Sequence, residues 1–101
     1  AAEEILIAPG VKPTTDLLHL ENTDVTLDKR GYIETNEFLE TAAEGIWALG
    51  DINGLAPFRH KANYEAEIIS HNLFENHEPK DWRWARYDLV PAVTYTYPEA
   101  A

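Results

Sequence analysis

The hydrophobic positions of this chain follow three rhythms. A short apolar run, Ile5-Leu6-Ile7-Ala8, stops at Pro9-Gly10 and predicts a buried strand over residues 4–8 followed by a turn. Lys12-Pro13-Thr14-Thr15-Asp16 is turn chemistry, because Pro13 fixes its own φ and biases Lys12 away from helix. Leu17, Leu18 and Leu20 then supply one helical turn. Period-two alternation follows in Val25–Asp28 and Tyr32–Thr35, with Lys29-Arg30-Gly31 between them, which predicts a short hairpin. After the mixed segment Asn36–Glu40, Thr41–Gly45 leads into the apolar run Ile46–Leu49, a central buried strand that ends in Gly50-Asp51. Residues Ile52–Pro57 read as a loop.

From Arg59 to Glu75 the rhythm becomes helical. Ala62, Ala66, Ile69 and Leu73 form one apolar stripe, and Glu65, Glu67 and Asn72 can face outward. Small alanines on that stripe allow close approach to a sheet or ligand. Asn76-His77-Glu78-Pro79 ends the helix, and Trp82, Trp84 and Tyr87 stand in a loop of mixed charge. Leu89–Tyr97 is a second β-rich run, broken by Pro98-Glu99. Strand, hairpin and helix signals together predict an α/β or α+β class.

Composition narrows the picture. With 101 residues and 45% hydrophobic content, the chain is sized for one small domain with a core. Its 18 acidic and 8 basic residues give a net charge of −10, which argues against nucleic acid and anionic membranes as partners. A uniform acidic surplus fits a highly soluble surface. There is no cysteine, so disulfides, thiolate metal sites and thiol catalysis within this chain are excluded. The absence of methionine, even at position 1, reads as a processed or excised chain. No apolar run approaches the roughly 20 residues of a membrane span, and no signal-peptide pattern opens the sequence.

The chemistry concentrates at Gly50-Asp51. Ligands of open α/β sheets sit outside the carboxyl ends of strands, where this pair would lie. An ionised carboxylate only accepts hydrogen bonds, so Asp51 suits a hydroxyl that must donate. The same residue could equally cap a strand or open a turn. The helix beginning near His60, Lys61 and Ala62 would present N–H groups without intrahelical partners and with partial positive charge, toward a ligand or toward solvent. His19, His60, His71 and His77 lack the i, i+4 spacing of a helical zinc pair, and no metal site is predicted. Trp82, Trp84 and Tyr87 read as packing at a domain or dimer contact rather than as a base-stacking platform.

Five segments in register carry a resemblance. They are Leu6–Asp16 (LIAPGVKPTTD), Leu27–Ile33 (LDKRGYI), Thr41 with Gly45–Asp51 (GIWALGD), Phe58–Ala66 (FRHKANYEA) and Val90–Glu99 (VPAVTYTYPE). Together they resemble the pyridine nucleotide–disulfide oxidoreductases, the flavoprotein family that includes dihydrolipoamide dehydrogenase, glutathione, mycothione and mercuric reductases.

The resemblance implies an internal piece of a Rossmann-like FAD/NAD(P)-binding enzyme. Residues 1–10 would end the NAD(P)-binding domain, 11–85 form the second part of the FAD-binding domain, and 86–101 start the dimer-interface domain. It assigns cofactor contacts to Gly10, Gly50, Asp51, Phe58, Arg59, His60 and Ala62, with no catalytic or metal residue in this chain. Asp51 would meet the ribityl chain of FAD, Gly50 would admit the ligand without a Cβ, and the helix start would face the flavin pyrimidine edge. Val11 departs from the arginine many members carry after the matching glycine, which leaves Lys12 as the cation near the pyrophosphate.

The implied parent is a cytoplasmic homodimer that passes electrons between NAD(P)H and a small disulfide or dithiol. It most resembles dihydrolipoamide dehydrogenase, with mercuric or mycothione-type reductase as alternatives. A non-catalytic acidic interaction domain is the alternative of another class. The chain alone is expected to bind FAD weakly or not at all, and to be inactive. Its first and last strands are expected to lack partners and fray.

Overall fold

The computed structural model describes residues 2–75 and 78–100; the expectations for Asn76 and His77 lie outside these. The described chain is elongated, 61 × 34 × 19 Å, with a radius of gyration of 17.0 Å. A compact domain of this length would measure about 13 Å. Two extended arms account for the excess. The expected strand over residues 4–8 is an open arm instead, with Ile5, Leu6 and Ile7 at least 78% exposed. The run Leu89–Tyr97 is likewise open, with one antiparallel bridge between Thr94 and Ala100. The apolar patterns are those of strands, but the described residues offer neither arm a sheet to join. Among the described residues, no helix is long and apolar enough to cross a membrane.

Between the arms, two small apolar clusters hold the fold. The first joins Val25, Ile33, Ala43 and Ala48, with Leu20 and Ile52 packed against it. The predicted leucine turn exists as two short 3₁₀ turns, Thr15–Leu17 and Leu20–Asn22, joined through His19 in the left-handed region (φ 50). The predicted hairpin is reduced to a tight turn with a single antiparallel bridge, Leu27 to Ile33. Asp28 makes this turn: its carboxylate accepts from the N–H of Arg30 (2.8 Å), the N–H of Tyr32 (3.0 Å) and Arg30 Nε (3.1 Å). The Tyr32 N–H, above all, holds the Asp28 carboxyl below the usual carboxylate range.

The central strand expected at Ile46–Leu49 is also only a bridge, Trp47 to Glu40. Thr41 N–H reaches Ile46 O (3.0 Å) and Ala48 N–H reaches Leu39 O (3.0 Å), so the segment folds back on its own neighbours rather than on a sheet. The reversal at Asn36–Glu40 is built by the Asn36 side chain, whose Oδ1 accepts from the N–H groups of Phe38 and Glu40. It places Leu39 fully buried at φ 68, a left-handed conformation costing a non-glycine residue about 1–2 kcal/mol. Burial with Ile68 and Ala85 in the second cluster offsets that strain.

The one long element among the described residues, α1, spans Arg59–Ser70 and continues as a π-helical turn over His71–Glu75. Its buried stripe is Lys61, Glu65, Ile68 and Asn72. This is the predicted four-three-four rhythm displaced by one residue. Glu65 and Asn72, expected outside, are inside; Ala66, expected inside, is exposed. The physical reason is hydrogen bonding. Asn72 brackets the Arg83 peptide, donating to its O and accepting from its N–H, both at 2.8 Å. Glu65 serves the turn described next. Trp82 lies edge-on to Phe38 (5.8 Å), while Trp84 stays 57% exposed.

Candidate functional site

The site is organised by the segment after Leu49. Leu49 is extended, Gly50 turns to φ 79, and Gly50–Asn53 forms a 3₁₀ turn closed by Gly54 at φ 68. Both glycines are needed for their positive φ. Gly54 is needed for space as well: a Cβ there would stand 2.5 Å from the Tyr32 ring. At Gly50 a Cβ would meet only Ala62 Cβ, at 3.6 Å, so within the chain it is the backbone angle rather than lack of space that requires glycine.

Behind this turn lies a buried polar network. Lys61 Nζ donates to Gly50 O (2.9 Å), Asn53 Oδ1 (2.7 Å) and Glu65 Oε2 (3.1 Å), which uses all three of its protons. Glu65 accepts the Gly50 N–H on Oε2 (2.7 Å) and Asn53 Nδ2 on Oε1 (2.9 Å). Tyr87 donates its hydroxyl to the same Oε1. The Lys61 and Glu65 side chains are 1% and 0% exposed. The two poles of one buried ion pair therefore grip the carbonyl and the N–H of a single residue, Gly50. Burial first, and then the Glu65 carboxylate, push the Tyr87 hydroxyl pKa far up, so it remains a donor.

In front of the turn is a cleft of about 300 Å³ lined by Val11, Lys12, Pro13, Tyr32, Asp51 and Pro57, among others. Asp51 is exposed, and no protein group among the described residues donates to its carboxylate. The cleft thus combines an open acceptor, one lysine and apolar walls. Lys12 lines it beside Val11, so this cation and the Asp51 carboxylate share one cavity.

The start of α1 opens elsewhere. Ala62 N–H bonds Phe58 O (3.1 Å), which leaves the N–H groups of Arg59, His60 and Lys61 without intrahelical acceptors. His60 stacks on Phe58, ring centres 5.3 Å apart and 15° from parallel. It lines a second cleft of about 300 Å³ with Tyr64, Tyr87 and Val90. Of the residues singled out from sequence, Asp51 thus faces one cleft and His60 the other. Gly50 is buried behind, Ala62 packs under it, Gly10 (φ 87) precedes the Val11 wall, and Arg59 is exposed. Among the described residues, no three His, Asp or Glu side chains are grouped to hold a metal ion.

Sequence reasoning missed the side chains of Lys61, Glu65, Asn53 and Tyr87 as site groups. The available signal was the Lys61–Glu65 i, i+4 spacing, which is ordinarily a surface pair.

A family model described as pyridine nucleotide-disulphide oxidoreductase matches residues 1–79. The chain is 38% identical to a mercuric reductase of Staphylococcus aureus over 101 residues, covering 99% of this chain and 18% of the relative. It is 36% identical to a dihydrolipoyl dehydrogenase of Thermus scotoductus, covering 98% and 20%. Its fold is similar to that of the HOCl-induced flavoprotein disulfide reductase RclA of Escherichia coli, with a TM-score of 0.81 and 29% identity over 91% of this chain and 20% of that one. The chain therefore spans about a fifth of the length of these relatives.

Proposed function

Because the chain belongs to the pyridine nucleotide-disulphide oxidoreductase family, we propose that it is the flavin-holding part of an FAD-dependent oxidoreductase working between NAD(P)H and a disulfide or dithiol. The observation that carries this reading is the unpartnered Asp51 carboxylate in its cleft, with Gly50 fixed behind it. The residues fit the group. A carboxylate that only accepts suits a donating ribityl hydroxyl, and a charge-assisted bond of this kind is worth about 1.5–3 kcal/mol. Lys12, in the same cleft, supplies a point charge for a phosphate where Val11 can make none.

The free N–H groups of Arg59, His60 and Lys61 give the helix start a partial positive charge suited to an electron-rich ring edge. Phe58 stacks on His60 and so fixes the side chains around that terminus. The Lys61 ammonium is engaged inside the network by its three acceptors. FAD, when bound, supplies the hydride-accepting chemistry, and this chain's residues bind and orient it.

The domain reading goes with this function: residues 1–10 close a nicotinamide-binding domain, 11–85 hold flavin, and 86–101 begin a dimer interface. The two exposed apolar arms, at the first and last of these segments, support it. A cytoplasmic homodimer of the dihydrolipoamide dehydrogenase type is the form proposed for the whole protein. Mercuric reductase is the second reading, favoured by the Staphylococcus aureus relative described above. The test is to purify the full-length protein and record its visible spectrum and NAD(P)H oxidation with lipoamide and with Hg(II). A flavin spectrum with lipoamide-dependent turnover supports the first reading, and Hg(II)-dependent turnover the second. A colourless protein that binds no added FAD refutes both.

A further inference from the structure

Glu65 is the node at which two distant parts of the chain meet. Its carboxylate accepts four hydrogen bonds, two on each oxygen: Gly50 N–H and Lys61 on one, Asn53 and the Tyr87 hydroxyl on the other. Three of these donors belong to the turn and to α1. The fourth comes from outside both, since Tyr87 lies at the root of the exposed arm that runs on to residue 100. A buried carboxylate with every lone pair engaged cannot lose one donor without exposing an unmet acceptor or shifting toward the others. Shifting Glu65 moves the Gly50 N–H it grips, and Asp51 is the next residue. We propose that Glu65 and Tyr87 are positioning residues for the Asp51 carboxylate, linking the placement of the arm after Tyr87 to ligand binding in the Asp51 cleft.

This rests on the reading of Asp51 as a flavin contact. Neither Glu65 nor Tyr87 lines the Asp51 cleft; Tyr87 lines the His60 cleft, so an effect of Tyr87 through the turn is separated from a direct one there by its dependence on Asp51. Tyr87 is half-buried, with its ring packed on the Leu39–Ile68–Ala85 cluster, so Tyr87→Phe keeps the packing and removes only the donor.

The test is a thermodynamic cycle of FAD affinity, measured by reconstituting the full-length apoprotein. Tyr87→Phe should weaken FAD binding about fivefold, the equivalent of one ordinary hydrogen bond. In an Asp51→Ala background the same substitution should have no effect, because the group it positions is gone. Glu65→Gln should weaken binding about tenfold or more, since its NH₂ must face at least one obligate donor whichever way the amide turns, and the charge that pairs with Lys61 is gone. If Glu65→Gln fails to fold, the Tyr87 cycle decides alone. An equal Tyr87→Phe effect in both backgrounds means a general structural role and overturns the proposal, as does no effect in the wild-type background. Unchanged affinity in Asp51→Ala alone overturns the flavin reading and this inference with it.

Discussion

Lys61→Met tests whether the ion pair behind the turn is as dry as the geometry has it. Methionine matches the lysine stem in length and apolar bulk but donates nothing. The substitution removes three hydrogen bonds, to Gly50 O, Asn53 Oδ1 and Glu65 Oε2. Asn53 Oδ1 keeps the Leu55 N–H, at 3.3 Å, while Gly50 O loses its donor. Glu65, fully buried, becomes an uncompensated charge that still has three donors around it. Breaking one side of a buried pair costs about 3–5 kcal/mol, and those remaining donors place this case near the lower end. An exposed i, i+4 pair would cost only about 0.3–0.5 kcal/mol, so the two possibilities are well separated. The assay is hydrogen exchange by mass spectrometry across Arg59–Ser70 in the full-length protein. A loss of about 3 kcal/mol means exchange faster by about two orders of magnitude. The double variant Lys61→Met/Glu65→Leu should lose less than the sum of the two single variants, because the stranded charge has gone. A change within about threefold for Lys61→Met would refute the reasoning, since that is the exposed-pair scale.

Gly54→Ala should destabilise the turn by about 2–5 kcal/mol, from left-handed strain plus overlap with the Tyr32 ring. Adding Tyr32→Ala should recover only the overlap part, and a shift under 0.5 kcal/mol in chemical denaturation would contradict this assignment. The turn at Asp28 should depend on pH with a definite sign. Its folded-state pKa is lowered, so its stabilisation is complete above the ordinary carboxylate value and is lost as pH falls through the folded value. Exchange at the Arg30 and Tyr32 amides should quicken only in that acid window relative to Asp28→Asn. Quickening on going up from there to neutral pH would be the wrong sign.

Much of the site was legible in the sequence because glycine and turn signals are local. Gly31 announces a reversal that exists, the loop expected over Ile52–Pro57 holds the turn glycine Gly54, and the helix start near Arg59 follows from apolar spacing. The strands were legible only as patterns. Ile5-Leu6-Ile7 and Leu89–Tyr97 have the apolar content of sheet strands, but sheet formation needs neighbours, and the described residues supply none. The phase of α1 and its π-helical continuation was misread because three of their four buried residues are Lys61, Glu65 and Asn72. Hydrophobic periodicity puts such residues outside. Their partners are backbone groups at Gly50 and Arg83 and side chains at Asn53 and Tyr87. Those partners become neighbours only after folding, so no window of sequence around α1 contains them.

The central claim is that the Asp51 carboxylate holds flavin. Its most direct test is FAD titration of the full-length apoprotein with Asp51 intact and with Asp51→Ala. The predicted result is a loss of about 1.5–3 kcal/mol, or roughly 10- to 150-fold in dissociation constant, with the fold retained. An Asp51→Ala protein that binds FAD as tightly as the wild type would contradict it.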